Sequence, residues 1–209
     1  MVRGLDRGQK PALIISEMQR AMVDRTIEDR ELSQQVEQRN IIPNTAALAR
    51  KFRAAGAPVI HCTLVPHSEY EGFPVNCALW ANLTRKGNLR AGQPGVDIVD
   101  GLAPQPGDIV SQRQAGLTGF HATELDRILR SLGVSTVVLA GVSTNIALMG
   151  LSIEAINRLY NVIIAEDCVA GGDVEGHEVN LRLHLRLLAT ITPSNTLTEA
   201  LDARPWQSS

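Results

Sequence analysis

The chain carries short, unbroken apolar runs at regular intervals: ALIIS at 12–16, PVIHCT at 58–63, STVVLAG at 135–141 and NVIIAED at 161–167. A strand with one wet face alternates apolar and polar residues. An unbroken run therefore points to a strand covered on both faces, as in parallel sheets. Segments with helical spacing lie between these runs. From Asn44, NTAALARKFRAAG repeats Ala47, Leu48 and Phe52 on one face and stops at Gly56. ATELDRILRSLG (122–133) gathers Leu125, Ile128, Leu129 and Leu132 and ends at Gly133. A helix capped by Thr144 is expected to run to about Tyr160, and EGHEVNLRLHLRLL (175–188) forms another. GDIVS (107–111) and ATITP (189–193) read as two further strands, and 64–107 as irregular, with a helical turn or more at 77–84.

Parallel strands need long crossovers, and the helices supply them. The pattern predicts an α/β fold: a three-layer α/β/α sandwich around a six-stranded, mainly parallel sheet of Rossmann-like topology. The 209 residues suit one domain, 1–209, with 1–11 and 202–209 as terminal extensions. The last of these, DARPWQSS, reads as a loose end or a contact arm.

Apolar residues make up 44% of the chain but aromatics only 3%, so Leu, Ile, Val and Ala must build the core. The formal charge is −2 and no Lys/Arg block occurs, so neither nucleic acid nor an anionic membrane is an expected partner. The three cysteines, Cys62, Cys77 and Cys168, form no CxxC pair and are odd in number, which favours a reducing compartment. The apolar run near the N-terminus is too short for a signal-peptide core, and no segment is long enough to span a bilayer. A cytoplasmic location is the expectation.

Ligands of open parallel sheets bind outside the carboxyl ends of the strands. Those ends are Ser16–Gln19, His61–Thr63, Gln112–Arg113, Val142–Asn145 and Glu166–Cys168, so their polar groups should share one rim.

At these same positions the chain has ALIISEMQ, GDIVSQR followed by GLTGFHATELDRILRSLG, AGVSTNIAL, and EAINRLYNVIIAEDCVAG. From residue 12 to about 192 it resembles the isochorismatase-like, or cysteine hydrolase, superfamily. The resemblance implies an isochorismatase-like topology and a hydrolase. It also implies a site in which a Cys attacks an amide-like carbonyl, an Asp shuttles the proton and a Lys holds the charges. Backbone N–H groups after a cis peptide form the oxyanion hole. Glu17, Arg113 and Ala147 stand where that pattern has Asp, Lys and Cys. Glu17 keeps a carboxylate. Arg113 keeps the charge but favours two-pronged anion binding. Ala147 excludes a covalent path through its own position. One branch of the superfamily hydrolyses a vinyl ether without the Cys, through a carboxylic acid and water. The resemblance therefore leaves two readings. One is a hydrolase acting on a small amide, lactam or vinyl ether without a Cys nucleophile. The other is an inactive member that binds a small molecule or serves an assembly.

The expected binding residues are Gln19, Val142, Ser143, Thr144 and Asn145, with Tyr70, Phe73 and Trp80 from the irregular stretch as a pocket wall, a subunit interface or a local minicore. Ser143 and Thr144 have no His visibly placed to activate them, so capping and turn geometry is their plainer reading. Cys62 and Cys168 are rim nucleophile candidates or simply buried apolar groups. Arg85, Lys86 and Arg90 are a solvated surface or an anion site. His177 and His184 share a helix face, on the surface or in packing. Metal-dependent relatives place an Asp and two His after the second strand; here Leu64 holds the Asp position, leaving His61 and His67, so neither metal nor cofactor is expected. Relatives form dimers or tetramers, which implies a homodimer or homotetramer here.

Overall fold

A computed structural model describes residues 2–203 and Trp206. Six strands form one sheet: β1 (Pro11–Ser16), β2 (Val59–Leu64), β3 (Ile109–Arg113), β4 (Thr136–Val142), β5 (Asn161–Ala170) and β6 (Thr190–Thr192). The order is β3-β2-β1-β4-β5-β6 and every pairing is parallel. The helices are α1 (Arg20–Val23), α2 (Glu31–Gln38), α3 (Ile41–Ala54), α4 (Ala78–Lys86), α5 (Leu125–Ser131), α6 (Ala147–Asn157), α7 (Val174–Val179) and α8 (Ser194–Asp202).

The unbroken apolar runs serve two cores at once. Leu13 and Ile15 of β1, with Val138 and Ala140 of β4, face a layer containing Leu48 and Phe52 of α3 and Leu197 of α8. Ala12, Ile14, Val137 and Leu139 face the opposite layer, with Leu125 and Leu129 of α5 and Leu148 and Leu151 of α6. Each fully buried Leu or Ile contributes on the order of 1.5–3 kcal/mol, which explains why the central strands carry no polar alternation. A smaller third cluster joins Leu64 to Phe73, Trp80, Leu83 and Leu89 in the segment after β2.

Several boundaries differ from the sequence expectation. Helices α2 and α8 are not expected from the sequence reading, although each carries an apolar pair four positions apart on its buried face, Leu32 with Val36 and Leu197 with Leu201. In α2, Leu32 and Val36 are the buried apolar pair, and the Arg30 N–H donates to the Ser33 hydroxyl to start the helix (3.0 Å). The helix expected over 175–188 is present as a continuous helical stretch, α7 followed by a π-helical segment at Asn180–His184 and a 3-10 turn at Leu185–Leu187. Strand β3 begins at Ile109, because the Asp108 N–H closes a turn onto the Gln105 carbonyl (2.9 Å) before pairing with β2 starts. Helix α5 starts only at Leu125. The extension before β1 packs onto the fold: Val2 and Leu5 are buried in the first core, and the Thr136 hydroxyl donates to the Gly4 carbonyl. Of the C-terminal tail, Trp206 packs against that core, while 204, 205 and 207–209 lie outside the described residues.

Candidate active site

The strand order reverses direction between β1 and β4, so the connections leaving these neighbours run to opposite faces and open a crevice at their carboxyl ends. Glu17 follows β1 in a left-handed conformation (φ 50°), its N–H donating to the Cys62 carbonyl at 2.9 Å. Non-glycine residues adopt this region rarely and hold it only where the surroundings fix it. The Glu17 carboxylate accepts a hydrogen bond from Nη2 of Arg113 at the end of β3. Arg113 is 3% exposed; its Nε donates to the Gly116 carbonyl at 2.9 Å and its Nη1 to the Thr63 carbonyl at 3.4 Å. Two main-chain oxygens thus aim the guanidinium, and the carboxylate completes its fork.

Gln19 plays a different part from the one expected. Its side-chain amide donates to the carbonyls of Leu64 (2.9 Å) and Val96 (2.8 Å), and its oxygen accepts the Leu64 N–H (2.8 Å). It is fully buried, lies outside the cavity lining and ties the segment after β2 to the end of β1.

The turn after β4 is crowded. Gly141 has φ 94°, and a Cβ there would lie 2.2 Å from the Ser16 carbonyl oxygen, so only glycine fits beside β1. The Val142–Ser143 peptide is cis. The Ser143 carbonyl accepts the N–H groups of Ile146 (3.3 Å) and Leu148 (3.0 Å), and the Thr144 N–H donates to Ala170 (3.0 Å). Asn145 braces the turn by accepting the Gly172 N–H at 3.2 Å. Among the described residues, the N–H groups of Asn145 and Ala147 are engaged by no hydrogen bond. Both lie at the start of α6, where backbone N–H groups lack intrahelical partners and the helix dipole favours negative charge.

Thr144 does not cap α6, whose capping position is Ile146. It is buried, and its hydroxyl lies 3.1 Å from Nδ1 of His177. A histidine therefore does stand beside this turn, brought from α7, thirty-three positions away. The pair faces inward from the cavity and supports the turn from behind. Burial, with the nearby charge of Arg39 adding, pushes the His177 imidazole down to about 4, so it is neutral, and its Nε2 has no hydrogen-bond partner. His184, expected on the same face, is exposed.

The crevice is a cavity of about 390 Å³, within the range of small-molecule sites. Glu17, Val142, Ser143, Asn145 and Ala147 line it, with Trp80 among its apolar walls. Tyr70 and Phe73 are not in the lining. They stack behind Trp80 edge to face, with centroids 5.7 Å apart for Tyr70–Phe73 and 5.0 Å for Phe73–Trp80, so the aromatic cluster is a minicore presenting one ring to the cavity. Arg113 and Thr144 also lie behind the surface. The sequence reading missed Glu28, Arg30 and Asn88 on the wall, and Lys86, one of the cations of the 85–90 run, joins them. Spacing alone carried no signal for the first three, which meet only through the fold.

Cys62 and Cys168 are buried, and burial pushes both thiols up to about 12, which removes them as nucleophiles at neutral pH. Cys77 is exposed and outside the cavity lining. His61 pairs with Asp108 at 3.3 Å. Among the described residues no group of three or more His, Cys, Asp or Glu could hold a metal ion, and no helix is long and apolar enough to cross a membrane.

Residues 11–196 match the isochorismatase domain family, and the chain belongs to that family. It is 32% identical over 123 residues to the maleamate amidohydrolase of Pseudomonas putida, an alignment that spans 57% of each chain. It is 27% identical over 161 residues to a secreted isochorismatase effector of Verticillium dahliae, covering 77% of this chain and 75% of the effector. Among solved structures, the N-carbamoylsarcosine amidase of Thermoplasma acidophilum superposes with TM-score 0.69 and 26% identity, covering 89% of this chain and 97% of the amidase. A cysteine hydrolase from Pseudomonas syringae shares the fold across 98% of both chains, with TM-score 0.84 and 22% identity.

Proposed function

We propose that this protein hydrolyses a small amide with water in place of the thiol. One observation carries the reading: Glu17, clamped by Arg113, shares one cavity with the Ala147 methyl and the open N–H groups of the α6 turn. The similar proteins named as a maleamate amidohydrolase and an N-carbamoylsarcosine amidase support an amide over a lactam or vinyl ether.

In this reading the Glu17 carboxylate takes a proton from water, and the hydroxide adds to the amide carbon. The oxyanion that forms accepts hydrogen bonds from the N–H groups of Asn145 and Ala147 at the positive end of α6. Protonated Glu17 then returns the proton to the leaving nitrogen as the C–N bond breaks, giving a carboxylic acid and an amine. Arg113 holds the carboxylate in register through both steps. Three unpaired cysteines favour a reducing compartment. Exposed Ile153, Ile156 and Leu159 on and after α6 favour a homodimer or homotetramer.

Turnover of a panel of small amides, followed by amine release, tests this reading. Release by the wild type is expected, with a gain in the triple variant Ala147→Cys, Glu17→Asp, Arg113→Lys. No turnover by the wild type, with turnover gained by the triple variant, would mark an inactive member on an intact scaffold.

A further inference from the structure

The charges on the cavity wall are already spoken for. Glu17, Glu28 and Glu31 line it as carboxylates, Lys86 and Arg30 as cations. Arg113, behind Glu17, adds a third cation, so the two signs balance. Lys86 Nζ meets Glu28 Oε1, Arg30 Nε lies 3.6 Å from the same oxygen, and Asn88 Nδ2 donates to Glu28 Oε2 at 3.4 Å. Arg30 also donates through Nη2 to the Met22 carbonyl (3.2 Å), and Glu31 accepts the Val174 N–H at 3.0 Å. An anionic guest would have to draw Lys86 away from Glu28, whose side chain is only 17% exposed, or lie unpaired beside three carboxylates. Stripping a partly buried carboxylate of its partner is costly, and like charges brought together are costly too.

What remains to hold a guest is hydrocarbon. Trp80, Leu83 and Leu89 line the cavity and belong to the buried cluster behind it. Phe73 packs edge to face on Trp80, and Tyr70 on Phe73, so the indole is fixed before any ligand arrives. Leu79 and Leu117 line the same space yet are 40% and 42% exposed. Large apolar side chains left in water inside a concave site gain free energy when a ligand's apolar surface covers them, in proportion to the area covered.

We infer that the cavity takes an uncharged amide bearing an aryl or alkyl group, and that its closed ion pairs turn anionic amides away. The amide lies at Glu17, and the hydrocarbon lies against Trp80, Leu79 and Leu117. Covering that group supplies binding energy away from the scissile bond, which holds the amide in register. The Glu28 cluster acts by being satisfied: it keeps the wall rigid and leaves no cation free to recruit a carboxylate. This rests on the reading of the cavity as the amide site, but not on Glu17 being the proton carrier.

Three methyl ketones that cannot be hydrolysed stand in for the amides: butanone, benzylacetone with its phenyl group, and levulinate with its carboxylate. Their binding to the full wild-type chain is measured by calorimetry. Benzylacetone is expected to bind about tenfold tighter than butanone or better, with an advantage that salt does not weaken. Levulinate should bind no tighter than butanone. Leu79→Asn and Leu117→Asn, both at exposed positions, should each cut the benzylacetone advantage by about threefold; if one fails to fold, the other decides. Glu28→Gln, which releases Lys86 and Arg30, should raise levulinate binding severalfold. The inference is overturned by levulinate binding tighter than butanone in the wild type, or by no advantage for benzylacetone. An advantage untouched by the leucine variants, or no gain for levulinate in folded Glu28→Gln, overturns it as well. Turnover of hydrocinnamamide separates this inference from the proposed chemistry. The ketone preference without turnover would leave the apolar seat standing and remove the hydrolysis; turnover without the preference would do the reverse.

Discussion

Arg113 reaches past β2 to hold Glu17, joining the ends of β3 and β1 across 96 positions of sequence. The guanidinium is sealed from solvent while the carboxylate keeps one side open to the cavity. A buried cation with no other acid partner among the described residues depends on that carboxylate, and the carboxylate's aim depends on the cation.

Arg113→Ala should therefore be costly twice over. Removing one member of a buried pair typically destabilises by about 3–5 kcal/mol, and the freed carboxylate loses its register. Urea unfolding is expected to show a loss of roughly 3 kcal/mol, since Glu17 remains partly open to water. Arg113→Lys keeps the charge but not the fork to Gly116 and Thr63, so it should fall between. A midpoint unchanged by Arg113→Ala would show that the pair holds nothing.

The Thr144–His177 contact predicts a pH signature. His177 sits near 4 when folded and near 6.5 when unfolded. Its contribution is fully present above pH 6.5. Between 6.5 and 4 the unfolded chain binds the extra proton, so stability falls as pH falls through that window, by on the order of 2–3 kcal/mol from this group. His177→Gln should flatten the curve there, at the cost of a lower plateau at neutral pH. Parallel curves for the two proteins would place the titration elsewhere.

Thiol chemistry should single out one cysteine. Native-state treatment with iodoacetamide at pH 7.5 is expected to add one label, at Cys77, with Cys62 and Cys168 reacting only after denaturation. Rapid labelling of Cys62 in the folded protein would reopen it as a nucleophile.

Gly141→Ala meets the Ser16 carbonyl at 2.2 Å in a conformation that disfavours any side chain. A loss of about 2 kcal/mol or more is expected, together with a disturbed turn at Ser143. A thermal midpoint within a degree of the wild type would show that β1 yields easily.

The sheet was legible because β1 and β4 are buried on both faces, and burial leaves an unbroken apolar run. Helices α3 and α5 were legible through their periodic apolar faces and α6 from the turn that precedes it, while α2 and α8 each offered only one apolar pair four positions apart, Leu32 with Val36 and Leu197 with Leu201, which the sequence reading passed over. The rim followed from topology, and Glu17, Arg113 and Ala147 from the resemblance. The roles of Gln19 and Thr144 were not legible, since a polar residue at a strand end reads the same whether it faces a ligand or ties two segments together. His177 and the Glu28–Lys86 wall were invisible for another reason: their partners arrive from thirty or more positions away, and no local pattern marks them.

The most direct measurement is amide turnover by Glu17→Gln, an isosteric change that keeps a hydrogen-bond acceptor for Arg113 but cannot carry the proton. A fall of a hundredfold or more in kcat is expected, with the fold and ligand binding retained. Turnover equal to the wild type's would contradict a proton-carrying role for Glu17.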